Sequence, residues 1–168
     1  KESQYRGIEL GWRWMPLEGL RLTGAYTHMD SQYIRFVDQF GTGGVVTRVN
    51  QSGRQVTSVE KNVFNIKAAY DHTPSGLGGW VEGSWIDSFY VNNNNTLGAP
   101  SYVLFNANAH HYNRYIKFIK TYVELDNIFD KAYVAWATPV ADSVADANKQ
   151  AFYAGIGRAF YAGVTLGF

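Results

Sequence analysis

The chain has 168 residues, a formal net charge of +1, 17% charged and 16% aromatic side chains, 17 Gly and no Cys. That charge supplies no bulk attraction to nucleic acid, the lack of Cys removes disulfide scaffolds and thiolate metal sites, and the aromatic load is too high for disorder. No apolar run approaches the roughly 20 residues of a membrane helix, but a membrane barrel stays open because its apolar residues alternate with polar ones.

The dominant period along the chain is two. Ile8, Leu10, Trp12 and Trp14 share one face of a first strand, against Glu9, Gly11 and Arg13. Pro16–Gly19 reads as a turn, and a second strand runs from Leu20 to about Asp30. The polar, Gly-rich stretch from Ser31 to Ser58 is expected to be a long loop. A third strand sets Phe64, Ile66, Ala68 and Tyr70 against Asn65, Lys67, Ala69 and Asp71. Thr73–Gly76 is a tight turn, and a fourth strand covers about Gly79 to Tyr90. A run of Asn from Asn92 to Asn95 opens the next loop. The fifth strand places Val103, Phe105, Ala107 and Ala109 opposite Asn106, Asn108 and His110. The sixth places Ile119, Val123 and Leu125 opposite Lys120, Tyr122, Glu124 and Asp126. After a long loop over about Lys131–Gly155, the seventh carries Phe160, Ala162, Val164, Leu166 and Phe168 on one face.

Short and long connections alternate along this series, which is the habit of outer-membrane barrels. Strands of about 10 residues, tilted by about 45°, cover an apolar band of about 25 Å. Trp12, Trp14, Tyr26, Tyr70, Trp85 and Phe89 are expected as interfacial girdle aromatics. The expected fold is all-β, an antiparallel up-and-down transmembrane β-barrel. A soluble β-sandwich or lipocalin-like barrel also alternates, but loops this long are awkward in a compact soluble domain. An open sheet of seven strands leaves two unpaired edges that lipid cannot satisfy. With Lys1 rather than Met at the start, the chain is expected to be a piece of something longer or to pair with other chains.

Glu124-Leu125-Asp126-Asn127-Ile128-Phe129-Asp130-Lys131-Ala132-Tyr133 resembles the "NLFD-K-Y" signature of the penultimate strand of TonB-dependent outer-membrane receptors. Gly157-Arg158-Ala159-Phe160-Tyr161-Ala162-Gly163-Val164 resembles the "PGR-FYAGV" start of their last strand, with Ile156 where that family often has Pro. Gly7-Ile8-Glu9-Leu10 and Leu20-Arg21-Leu22-Thr23-Gly24-Ala25-Tyr26-Thr27 are similar to earlier strands of the same barrels. The resemblance runs in order along nearly the whole chain. It implies about seven C-terminal strands of a 22-stranded barrel, with the plug domain and earlier strands absent from residues 1–168. It also implies periplasmic short turns, extracellular long loops and the outer membrane of a Gram-negative bacterium.

No catalytic constellation stands out, so no enzyme activity, metal site or cofactor is expected. His110 and His111 are adjacent on a strand and point to opposite faces, so they cannot chelate one ion. His28 beside Met29 and Asp30 reads as a polar strand end, and His72 lies beside a turn. Asp126 and Asp130 lack the glycine and spacing of a calcium loop. Asp142, Asp146 and Asn148 read as a solvated loop face, and Gly76–Gly79 as a turn without a following helix. Within the implied barrel, Glu9, Arg13, Lys67, Asp71, Glu82, Lys120, Glu124 and Asp126 are expected to face the lumen or plug. Gln32, Tyr33, Arg35 and Phe36, then Tyr90, Trp136 and Tyr153, are candidates for ligand contact in the loops and upper lumen. Arg and aromatic side chains suit a bulky, partly apolar anionic metal chelate such as a ferric siderophore.

The resemblance implies import of a scarce nutrient driven by the TonB energy-coupling complex through the missing N-terminal part. The other implied partners are lipid or lipopolysaccharide and the barrel-assembly machinery. That machinery would read the stripe Phe160, Ala162, Val164, Leu166 and Phe168 as an assembly signal. A structural or adhesive subunit completing a multichain barrel is the alternative from another class, and a soluble β-barrel binder is a third.

Overall fold

The computed structural model describes residues 1–42, 45–113, 116, 119–138 and 152–167. Thirteen strands are present among them: β1 (Glu2–Leu17), β2 (Leu20–Arg35), β3 (Val37–Thr42), β4 (Val45–Asn50), β5 (Asn62–His72), β6 (Leu77–Ile86), β7 (Phe89–Tyr90), β8 (Gly98–Ala99), β9 (Tyr102–Tyr112), β10 (Ile119–Asp126), β11 (Val134–Ala137), β12 (Phe152–Ala154) and β13 (Ala159–Leu166). Seven of them form one antiparallel sheet in the order β1-β2-β5-β6-β9-β10-β13, an uninterrupted meander. The other six pair as three small ribbons, β3-β4, β7-β8 and β11-β12.

The connections β1–β2, β5–β6 and β9–β10 are short and share one end of the sheet. The three long connections carry the ribbons at the other end. The tight turns use left-handed glycines where a side chain would strain: Gly19 has φ 79° and Gly76 φ 73°.

Residues directly opposite in antiparallel strands share a face. The register therefore draws rows across the sheet. One apolar row is Leu22, Ala68, Val81, Ala107, Leu125 and Phe160. Trp12, Gly24, Ile66, Gly83 and Phe105 form its neighbour on the same face. Ile8, Leu10, Trp14, Val81, Phe160 and Val164 are large apolar side chains left exposed there. Trp12 lies flat over Gly24, whose missing side chain leaves room for the indole. The opposite face carries the polar rows.

Several strand boundaries differ from expectation. β2 continues to Arg35, so Ser31–Arg35 is strand rather than loop, held by its ladder to β1. The long segment after it folds back as β3-β4. The expected fourth strand is two pieces, β6 and β7, because Phe89 and Tyr90 turn away to pair with Gly98 and Ala99. Phe89 is consequently no girdle aromatic. It is buried with Val91, Ala99 and Ala137 in a small core of the loop region. Trp12 lies in a middle row, not at a strand end. Phe168, Asp142, Asp146 and Asn148 lie outside the described residues.

Candidate functional site: polar wall and loop layer

The polar face is ordered by the same register. Arg13, Thr23, Lys67, Glu82 and Asn106 form one row. Arg21, Ala69, Trp80, Asn108, Glu124 and Tyr161 form the next. Glu9, Asp71, Lys120 and Asp126 lie at even spacing from members of these rows, so all eight charged candidates occupy one face. Lys67 Nζ is 3.4 Å from Glu82 Oε2 and 3.6 Å from the Trp80 ring centroid. Lys120 Nζ sits 5.2 Å from the centroid of Tyr112, directly opposite it on β9.

A hydrogen-bonded chain crosses this face near the short turns. His110 Nε2 is 2.8 Å from Asp71 Oδ1, and His110 Nδ1 is 3.2 Å from Asn108 Oδ1. Asn108 Nδ2 donates to Glu124 Oε2 at 3.0 Å. Asp71 and His110 belong to strands separated by β6, and Gly78 stands between them in the register. A Cβ on Gly78 would collide with both side chains, so that glycine permits the bridge. The spacing of 39 residues between Asp71 and His110 carries no local signal, so this contact is not visible in the sequence.

At the other end, the long connections build a continuous polar and apolar layer. Tyr33 is 0% exposed. Its hydroxyl donates to Asn93 Oδ1 at 3.1 Å and lies 3.4 Å from Thr57 Oγ1. Its ring packs on Phe36 at 4.9 Å. Gln51 Nε2 donates to Asn94 Oδ1 at 3.0 Å, and Arg54 donates to the Asn94 carbonyl. The Gln55 N–H donates to Asn95 Oδ1, and Asn95 Nδ2 returns a bond to the Gln55 carbonyl. Asn93 Nδ2 reaches Asp38 Oδ2 at 2.8 Å. The Asn run therefore stitches the β6–β9 connection to the β2–β5 connection. On its other side, Phe89, Val91 and Ala99 pack with Ala137, Val134 and Phe152 of the β10–β13 connection.

The ligand candidates divide between these contacts. Gln32 donates to the Gly53 carbonyl and Arg35 pairs with Glu2 in the ladder. Tyr33 offers no surface to a ligand, because burial and its two partners commit it to holding the loops together. Trp136 and Tyr153 meet across β11-β12 with ring centroids 4.9 Å apart, and stay 54% and 50% exposed. Tyr90 is exposed on β7 and is not joined to that pair by any ring contact among the described residues.

The segment after β10 is a structural turn. Asn127, at φ 48°, is buried and bonds the Lys131 and Ile156 carbonyls and the Lys131 N–H. Asp130 Oδ1 accepts from the Arg158 N–H at 2.8 Å. These bonds tie the end of β10 to the start of β13. Among the described residues no group of three His, Cys, Asp or Glu side chains could hold a metal.

Residues 1–128 match the family described as TonB dependent receptor-like, beta-barrel. The chain belongs to that family. Its barrels are outer-membrane structures, and the family is one of receptors rather than enzymes. The siderophore receptor PiuA from Acinetobacter baumannii superposes on this receptor-barrel chain with a TM-score of 0.77 at 24% identity, covering 98% of this chain and 22% of PiuA. BauA, the ferric preacinetobactin receptor of the same organism, gives 0.74 at 22% identity, over 98% of this chain and 22% of BauA. The ferric citrate transporter FecA gives 0.74 at 18% identity, over 98% and 24%. At these identities the likeness establishes the fold. A search of the curated proteins found no match. The receptor-barrel fold accounts for the sheet as it stands: seven strands of a wall, not closed on itself, with β1 and β13 at its free edges.

Proposed function

We propose that this chain is the C-terminal part of the barrel of an outer-membrane active transporter that imports a ferric siderophore. The observation that carries the reading is the two-faced wall. One face is apolar along its rows and exposes large side chains such as Leu10, Trp14, Val81, Phe105 and Phe160, and the other carries all eight charged candidates. A soluble barrel would put that apolar face inside a core. In this reading the polar face looks into the lumen toward a plug domain, and the loop layer is extracellular. The exposed Trp136–Tyr153 pair is the ligand-contacting element, since adjoining exposed aromatic rings suit a bulky chelate. Energy comes from the TonB complex through an N-terminal part. The stripe ending in Phe168 addresses the barrel-assembly machinery, and lipopolysaccharide surrounds the outer rim.

The test is uptake by cells carrying the full-length protein as their sole candidate receptor, using radiolabelled iron on hydroxamate, catecholate and citrate carriers. TonB-dependent accumulation of one carrier, reduced at least tenfold by W136A/Y153A, is expected. No carrier-dependent uptake, with a mature polypeptide mass near the 18.9 kDa of this chain, would instead identify a subunit of a multichain assembly.

A further inference from the structure

Among the described residues, β11-β12 is a sheet of two strands only. A two-stranded ribbon by itself is marginally stable in water, so its orientation depends on what its faces pack against. Trp136 stands directly opposite Tyr153, and Ala137 opposite Phe152. The two rings therefore share one face, and Ala137 and Phe152 share the other. Between Val134 and Trp136 the register shifts, which leaves Ala135 as an extra residue on β11. Such a bulge re-aims the side chains beyond it, and here it puts Val134 on the same face as Ala137 and Phe152.

That back face is seated on the β6–β9 connection. Ala137 is buried in one cluster with Phe89, Val91 and Ala99, and Val134 and Phe152 pack against the cluster. Val91 is fully buried, so it can touch no ligand itself. Its N–H donates to the Leu97 carbonyl at 2.8 Å, and Phe89 pairs with Ala99 across β7-β8. The Ser58 N–H donates to the Tyr90 carbonyl at 2.8 Å, which fixes the same segment from the side of the β2–β5 connection. The stem of the ribbon is held separately. The Gly155 N–H donates to the Tyr133 carbonyl at 2.9 Å, and the Tyr133 ring lies 4.6 Å from that of Tyr102, the first residue of β9. The stem contacts fix where the ribbon leaves the wall, and the cluster fixes the tilt of the face that bears the rings. Interiors are packed closely enough to transmit a change of one methylene. Aromatic surface already held in its bound orientation also loses less entropy on binding.

We propose that Val91 is a positioning residue of the ligand site. With Ala99, it sets the orientation of Trp136 and Tyr153 through Ala137 and Phe152, so that affinity for the chelate depends on a buried side chain of another connection. The inference rests on the reading of the Trp136–Tyr153 pair as the ligand contact.

The full-length protein labelled with 5-fluorotryptophan and read by fluorine NMR in detergent reports on the ring directly, with the Trp136 signal assigned by W136F. Uptake of ferrichrome, ferric enterobactin and ferric citrate by cells is the second readout. Val91→Ala should displace the Trp136 signal. It should also raise the half-saturating concentration of the imported carrier by about fivefold or more, with the maximal rate changed by less than about twofold. Ala99→Val, which crowds the cluster rather than emptying it, should act on both readouts in the same way. V91A/A99V, which conserves the volume of the cluster, should restore both towards wild type. A Trp136 signal unmoved by both single substitutions overturns the proposal. So does a loss of maximal rate or of folded protein at unchanged half-saturation, the mark of a merely structural role. Failure of the parent reading shows differently: W136A/Y153A importing its carrier as wild type does would remove the pair from ligand contact, whatever Val91→Ala does to the fluorine signal.

Discussion

The seven-stranded wall and the loop layer bury their side chains in opposite ways. Among the described residues, six of the seven buried apolar residues, Tyr33, Val56, Phe89, Val91, Ala99 and Ala137, belong to the loop end, and Ala69 alone lies in the wall. The wall is held by its ladders and exposes its apolar side chains. The layer is held by side chains that reach across long sequence separations. A wall without a core needs a surrounding apolar phase. A layer with its own core and hydrogen-bond stitching keeps its shape in water. The described parts of the three connections are thus joined through the β6–β9 segment.

The sharpest way to break the contrast is to charge the wall. Ala107→Arg, in the mid-belt row, should cost about 2–4 kcal/mol by urea unfolding in lipid vesicles. Ser84→Arg on the polar face should cost under about 1 kcal/mol. Asn106 is a poor control, although it neighbours Ala107 on the polar side. Its Oδ1 accepts the Asn127 N–H at 2.9 Å, so changing it also disturbs the turn after β10. Equal costs at positions 107 and 84 would remove the two-faced wall.

A smaller effect is expected from unstitching the layer. Asn92 Nδ2 donates to Thr96 Oγ1, and its Oδ1 accepts from the Thr96 and Leu97 N–H groups. Asn92→Ala removes these three hydrogen bonds from a buried position, at about 0.5–1.5 kcal/mol of local stability for each. Amide hydrogen exchange over residues 51–57 and 89–99 should accelerate together by about tenfold or more, while β5 and β6 stay protected. Acceleration confined to residues 89–99 would mean the connections move separately.

The smallest effect belongs to the half-exposed ion pair on the polar face. Lys67→Met removes the Lys67–Glu82 contact and should change stability by no more than about 1 kcal/mol, less at high salt. A larger, salt-independent loss would show that Lys67 acts mainly through its packing on Trp80.

Much of the wall was legible because its signal is local. Alternation decides which side chains share a face, and direct pairing carries that choice from strand to strand. Val103, Phe105 and Ala107 needed no tertiary information to be placed together. The resemblance around Glu124–Tyr133 located the family, although what Asn127 and Asp130 do there, bonding Ile156 and Arg158, became visible only in the folded turn.

The loop layer is hidden in the sequence for the complementary reason. Ser31–Arg35 is rich in polar residues, as a loop is, but a ladder to β1 keeps it in register as strand. Tyr33 is a ligand candidate in the sequence because aromatic and Arg side chains near the upper lumen suit a metal chelate. Its burial depends on Asn93 and Thr57, 60 and 24 residues away. The run from Asn92 to Asn95 signalled only polarity and turn propensity. Its role as a clasp between two connections depends on donors and acceptors contributed by Gln51, Arg54 and Gln55. Period-two patterning is a property of neighbouring residues and survives in the sequence. Side-chain hydrogen bonds between distant loops have no period, so only the tertiary structure decided them.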